Sequence, residues 1–213
     1  LFGDSGIDKK QVAEIQRKIN EQDTVISDNE MKEILQNARN LEKIGKYKDG
    51  LVEFVKYYAI LQKQGGEQND IPTANFYQEL GSANDNQGHY DKALEYYKKA
   101  LDIRLKSLGS EHPDVGASYN NIGIVYYNKG DNDKALEYYK KSLDIKLKSL
   151  GSEHPSVGTS YNNIGIVYYN KGDYDKALEY YKKSLDIRLK SLGSEHPSTK
   201  QTQSNIDICK RKM

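Results

Sequence analysis

Several places in this chain hold residue types that could do chemistry. Gly3-Asp4-Ser5-Gly6 sets a serine beside an acid. A serine nucleophile needs a base and an oxyanion hole held by a folded scaffold. Here Ile7 follows and no β-rich domain surrounds the phrase, so a helix-entry turn is expected. His112, His154 and His196 recur at a fixed step, each before a proline. Ligands of one metal ion must converge within a few Å. Residues one step apart in a stack of helix pairs are separated by ~10 Å. A turn role is expected for them, and no metal. Cys209 precedes Lys210, Arg211 and Lys212, and such neighbours can lower a thiol pKa. No base or orienting group accompanies it, so a free thiol on a terminal helix is expected. The remaining set is made of carboxamides: Asn120-Asn121 with Asn128, and Asn162-Asn163 with Asn170. A carboxamide offers both a donor and an acceptor, which matches a peptide unit without reading its side chain.

The elements that must position these residues follow from a repeat. GSEHP occurs at Gly109–Pro113, Gly151–Pro155 and Gly193–Pro197, a step of 42 each time. Residues 112–153 and 154–195 agree at 38 of 42 positions. A weaker copy runs from 70 to 111, and an older one from 27 to 69. Residues 196–213 begin another unit and form either a C-terminal capping helix or a partial fifth repeat. Residues 1–26 stand apart. There Val12, Ile15 and Ile19 share one side of a helix over Ile7–Asn20, read as an N-terminal cap or as the tail of a preceding domain.

Each unit reads as two helices. Pro113 suits a first helical position and Asp114 favours the positive helix end. Tyr119, Ile122, Gly123 and Tyr126 then share a face at i, i+3, i+4, i+7. Gly130 ends that helix, and Asp131 or Asn132 can cap the next. In the second helix Leu136, Tyr139, Leu143, Leu147 and Leu150 step by three or four, and Gly151 ends it. Its charged remainder reads as a solvated back face of mixed sign. Ser27 to Glu30 forms a possible capping box. Gly81, Gly123 and Gly165 fall inside first helices, where glycine costs ~1 kcal/mol relative to alanine. Their recurrence predicts a helix passing too close for a side chain, with Ala93, Ala135 and Ala177 as its small partners.

The composition agrees with a thin body. Charged residues make up 30% and apolar ones 36%, and mean hydropathy is −0.87. No apolar run approaches the ~20 residues of a membrane helix. With 32 basic and 31 acidic residues there is no bulk attraction for nucleic acid or anionic lipid. One cysteine excludes a disulfide framework and a thiolate zinc site. All 18 tyrosines lie between Tyr47 and Tyr181, and the repeat assigns most of them to core packing. Tyr127 and Tyr169 are the two expected to face a groove.

Tyr119, Ile122-Gly123, Tyr126, Gly130, Ala135, Tyr139 and Ser142 resemble the tetratricopeptide pattern, whose usual period is ~34. The period of 42, the initial His-Pro and the Asn-Asn-Ile-Gly phrase resemble the kinesin light chain subclass, from Ser27 to about Glu195. The resemblance implies an all-α, right-handed solenoid of stacked antiparallel helix pairs. First helices line its concave face, and the eight added residues mainly lengthen the second helix. It also implies a non-catalytic adaptor with a protein or peptide partner, no cofactor and a cytoplasmic, cytoskeleton-associated setting. In the family, equivalents of the second asparagine (Asn121, Asn163 and Asn205) hydrogen-bond the main chain of a bound peptide.

The groove set expected is therefore Asn120, Asn121, Ile124, Tyr127 and Asn128, with Asn162, Asn163, Ile166, Tyr169 and Asn170 one step on. Gln78, Ser82, Asp85 and Asn205 are outlying members. First helices of the best repeats carry no arginine, and lysine only at Lys129 and Lys171. An extended, neutral or modestly basic peptide is thus the expected ligand. The alternative is a structural spacer or sensor region of a larger protein, contacting partners by its edge or convex face.

Overall fold

A computed structural model describes residues 9–21, 26–65 and 71–213. Every regular element among them is a helix. In chain order these are α1 (Lys9–Glu21), α2 (Asp28–Lys43), α3 (Tyr47–Lys63), α4 (Ile71–Asn86) and α5 (Tyr90–Leu108). They are followed by α6 (Pro113–Asn128), α7 (Asn132–Leu150), α8 (Pro155–Asn170), α9 (Tyr174–Leu192) and α10 (Pro197–Lys210). The fold is an all-α solenoid of helix hairpins. It divides into two compact units, Leu1–Ile103 and Arg104–Met213.

Helix ends follow the sequence signals. His112, His154 and His196 are more than turn residues: each is an N-cap. The Nδ1 of each ring accepts from the backbone N–H two residues on, at 3.2, 3.1 and 3.1 Å. This satisfies one of the donors that a helix start leaves open. Asp131 and Asp173 cap the second helices by accepting from the N–H of Lys134 and Lys176. Gly130 and Gly151 follow α6 and α7 with φ of +82° and +84°, a left-handed geometry in which a Cβ is strained. First helices α6 and α8 have 16 residues, whereas second helices α7 and α9 have 19, about 28 Å at 1.5 Å per residue. The second helix is the longer one, as expected.

In the first unit α1 lies on α3. Val12 and Ile19 are buried, and the Lys63 ammonium donates to the Ile19 carbonyl at 2.8 Å, near the end of α1. The capping box is reciprocal. Ser27 N–H donates to Glu30 at 2.8 Å, and Glu30 N–H donates to Ser27 Oγ at 3.4 Å. The first of these bonds holds the Glu30 carboxyl below its usual range. Tyr58 and Phe76 stack with centroids 4.4 Å apart and carry the packing from α3 to α4. Gly3-Asp4-Ser5-Gly6 lies outside the described residues.

In the second unit α6 pairs with α7, α8 with α9, and α10 packs on α9. The mid-helix glycines are indeed sites of close approach, but alanine is not the partner. A Cβ on Gly123 would lie 2.7 Å from the Tyr139 ring, and one on Gly165 would lie 2.7 Å from the Tyr181 ring. In the first unit Gly81 meets Tyr97 the same way. The large aromatic needs the missing side chain more than the small alanine does. Tyr126 stacks on Tyr138 and Tyr168 on Tyr180, with centroids 5.3 and 5.5 Å apart.

One part of the charged back face is not solvated. Arg104, Lys146 and Arg188, one repeat apart, are 4%, 7% and 7% exposed. Each points under the next first helix and donates to a hydroxyl there: Ser118 at 2.7 Å, Ser160 at 3.1 Å and Thr202 at 2.5 Å. Burial lowers the Lys146 pKa from 10.5 to about 8. A long aliphatic stem fills the seam between hairpins while its polar head finds a hydroxyl.

Candidate functional site: the first-helix face of the second unit

The carboxamides are placed by α6, α8 and α10. Asn163 Nδ2 donates to Asn120 Oδ1 at 3.2 Å, and Asn170 Nδ2 donates to the Tyr127 hydroxyl at 2.9 Å. Both bonds join residues 43 apart, and they lie seven residues apart along each helix. Helices α6 and α8 therefore run parallel and side by side for two turns. The next step repeats the first of these bonds, since Asn205 Nδ2 donates to Asn162 Oδ1 at 3.3 Å. The asparagines form a ladder along one face, joining each repeat to the one before.

The two asparagines of each pair then do different work. Asn162 is buried at 7% exposure, and its carbonyl oxygen accepts from both Asn205 and the Thr202 hydroxyl, the latter at 3.4 Å. It is a tie inside the array, not a groove-facing contact as the spacing alone suggested. Asn120 is half-buried and its oxygen is engaged by Asn163. Of the second asparagines, Asn121 and Asn163 keep capacity to spare, while the Asn205 oxygen accepts from Gln201 at 3.0 Å. The Asn163 oxygen accepts no hydrogen bond from the described residues, and the Asn121 side chain bonds to none of them.

A hollow of about 210 Å³ opens beside Asn163. Ile124, Tyr127 and Asn128 of α6 form one wall, Asn163 and Ile166 of α8 the other, and Tyr139 of α7 the floor. Five of these six were expected at the groove, and the structure brings them together. Tyr139 was assigned to the core alone. It reaches the hollow because Gly123 has no side chain to cover its ring. The signal was present in the sequence, as a helix-interior glycine with a tyrosine 16 residues on in the three repeats from 70 to 195. No charged residue lines the hollow.

Ile124 and Ile166 continue at the same step to Ile208, which is 38% exposed on α10. Tyr169 lies 5.4 Å from Tyr174, centroid to centroid. Asn128 and Asn170 sit exposed at the ends of their helices. Gln78, Ser82 and Asp85 are half-buried on α4 and belong to the first unit. There an ion pair joins first helices, Arg39 of α2 with Glu79 of α4 at 2.5 Å.

Burial raises the Tyr181 phenol, helped by the Cys209 thiol and the Tyr127 and Tyr169 phenols nearby. Burial also raises the Cys209 thiol, opposite to what a reactive thiolate requires. No group of three or more His, Cys, Asp or Glu among the described residues could hold a metal ion. Nor is any described helix long and apolar enough to cross a membrane.

No curated protein sequence matches the chain. Among solved structures, BtubC (BKLC) from P. vanneervenii is similar at a TM-score of 0.77 and 24% identity, over 95% of this chain and 83% of that one. A putative kinesin light chain from Podosopora anserina with nearly identical TPR-like repeats is similar at a TM-score of 0.70 and 26% identity, over 85% and 86%. The apo form of RapI shares the fold at a TM-score of 0.70 and 18% identity, over 86% of this chain and 64% of that one. The family model for the tetratricopeptide repeat matches three times, at residues 72–148, 114–190 and 156–212, so its run takes in α10. With hairpins of this period, glycine-gripped tyrosines and that match over most of its length, the chain belongs to the tetratricopeptide repeat family, in its kinesin light chain-like form.

Proposed function

We propose that the second unit is a non-catalytic docking module that holds an extended, uncharged peptide segment of a protein partner on its first-helix face. Tetratricopeptide repeats are generally non-catalytic, and their proteins bind protein partners. The observation that carries the finer reading is the hollow beside Asn163. An apolar socket without charge lies next to a carboxamide whose oxygen is unspent. The socket suits an aliphatic or aromatic side chain, and Asn163 can accept from a ligand backbone N–H. Asn121 offers a donor and an acceptor one step earlier.

Replacing Asn121 and Asn163 together with alanine tests this. Peptides selected from a random 12-residue display library on the intact chain are expected to lose at least tenfold in affinity for the double variant. Circular dichroism is expected to show unchanged helicity, because neither side chain is in the core. Equal affinity for both proteins refutes the assignment.

A further inference from the structure

At each joint between hairpins of the second unit, one chain of hydrogen bonds runs from an imidazole near the surface to a buried cation. It begins at the N-cap, where Nδ1 of His112, His154 or His196 accepts from the N–H of Asp114, Ser156 or Ser198. The carbonyl of that same residue accepts from a hydroxyl one turn on: Ser118 at 2.9 Å, Ser160 at 3.2 Å and Thr202 at 3.0 Å. The hydroxyl in turn accepts from Arg104 of α5, Lys146 of α7 or Arg188 of α9. The cation belongs to one hairpin and the other members to the next. The first turn of each first helix is therefore fixed by its own imidazole on one side and by the preceding hairpin on the other.

This chain of bonds carries a condition. A ring nitrogen accepts only while it holds no proton, so each cap needs a neutral imidazole with its proton on Nε2. A second proton turns Nδ1 into a donor set against a backbone N–H. It also places a cation at the positive end of a helix, where it is unfavourable. Histidine is the side chain whose ordinary charge change falls between pH 5 and 8. The joints differ in what answers the new charge. His112 has Asp114, with a carboxylate oxygen 3.8 Å from Nδ1. The same position in the next two repeats holds Ser156 and Ser198. The acid before each histidine is engaged by a lysine: Glu111 by Lys148 of α7 at 3.2 Å, Glu153 by Lys190 of α9 at 2.6 Å and Glu195 by Lys200 of α10 at 2.8 Å. The far end of each chain adds a positive charge, from Arg104, from Arg188 or, below a pKa of about 8, from Lys146.

We propose that the hairpin joints of the second unit form an acid-sensitive latch. Protonation of His154 and His196 releases the first turns of α8 and α10 from the hairpins before them, while Asp114 holds His112 and keeps the first turn of α6 closed. The same sequence position thus sets the response of each joint: an acid makes it tolerant and a serine makes it labile.

The test titrates the intact, ¹⁵N-labelled chain from about pH 7.5 to about pH 5.5, above the ordinary carboxylate range. At the upper end, ring spectra are expected to show the Nε2–H tautomer at His154 and His196. As the pH falls, the amide signals of Ser156 and Ser198 are expected to move upfield together with protonation of those rings. Thermal melts over the same range are expected to lose at least about 5 °C. The His154→Asn/His196→Asn double variant keeps a capping residue without a titrating group, and is expected to lose less than half as much. Asp114→Ser is expected to deepen the loss by opening the α6 joint as well. An Nδ1–H tautomer at His154 or His196, amide signals indifferent to ring protonation, or equal losses in the parent chain and the double variant overturns the latch. No deepening by Asp114→Ser overturns the role given to that acid. Should the double variant not fold, the tautomers and the two amide shifts of the parent chain decide alone.

Discussion

Helices α8 and α10 start from the same His-Pro cap and keep the same register, yet they are finished differently on one side. On the side facing the preceding second helix, both are buried. Val157, Ser160, Ile164 and Val167 of α8 become Thr199, Thr202, Ile206 and Cys209 of α10, and all are closed to solvent. On the adjoining stripe, one residue further round the helix, Gly158, Tyr161, Gly165 and Tyr168 of α8 pack against α9. The same positions in α10 read Lys200, Gln203, Asp207 and Lys210. A side chain at the glycine position of α8 would strike a tyrosine ring at 2.7 Å. At Asp207 it is exposed and accepts from Gln203 at 3.0 Å. The comparison shows that a repeat helix has two separable faces. Only the outer one decides whether a tyrosine-bearing second helix can lie on it.

The strongest way to break the comparison is to write the α10 residue into α8. Gly165→Asp forces a Cβ and a charge into the Tyr181 ring, and overpacking with a buried charge is expected to cost more than about 3 kcal/mol. Urea denaturation followed by circular dichroism should show an early transition for this unit. The reverse change, Asp207→Gly, is expected to cost at most about 1 kcal/mol through helix propensity alone. Equal losses from the two would show that the faces are not distinct.

The seam between hairpins sharpens the other half of the contrast, the face that α8 and α10 share. Arg188 donates to both Thr202 and the Ser198 carbonyl on α10, at 2.5 and 2.8 Å, whereas Lys146 donates to Ser160 on α8 at 3.1 Å. The Lys146 pKa is about 8 when folded, below its ordinary 10.5. The unfolded chain thus holds more protons between those values, and stability gained from this group rises as pH climbs from about 8 to 10.5. Below pH 8 its burial cost is fully present. Lys146→Met is expected to stabilise the fold at pH 7 by the order of 1–3 kcal/mol and to flatten that part of the pH profile. Thermal melts at pH 7 and pH 10 check both.

The smallest effect expected is at Ser142 and Ser184. Both hydroxyls are buried without a partner, and the equivalent residue in the preceding repeat is Ala100. Ser142→Ala and Ser184→Ala should each add about 1 kcal/mol. Unchanged melting temperatures would mean that these hydroxyls are satisfied.

Much of this was legible in the sequence, for physical reasons. The step of 42 fixes which residues share a role, and caps and glycines fix the helix ends, so the hairpins and their longer second helices could be read directly. Five residues lining the hollow (Ile124, Tyr127, Asn128, Asn163 and Ile166) were also legible from helical periodicity, whereas Asn162 was not separable from them. What could not be read was the partner of each contact. Gly123 announces a close approach but not that a ring makes it, since alanine and tyrosine both lie on the facing helix. Asn162 and Asn163 are neighbours of one type, and the register of α10 against α8 alone decides that the first is buried and the second remains available. Lys146 looked like one more surface lysine, because burial of its stem depends on the next hairpin rather than on its own helix.

The asparagine ladder has a consequence of its own. In both rungs the amide of the later repeat gives and the carbonyl of the earlier repeat takes. The carboxamides of the second unit are thereby oriented alike, like arrows drawn in one sense along the stack. The Asn163 oxygen is left uncommitted, whereas the Asn205 oxygen accepts from Gln201 of its own helix at 3.0 Å. A surface built this way is not the same when traversed from its other end, so it has a direction before any side chain is read.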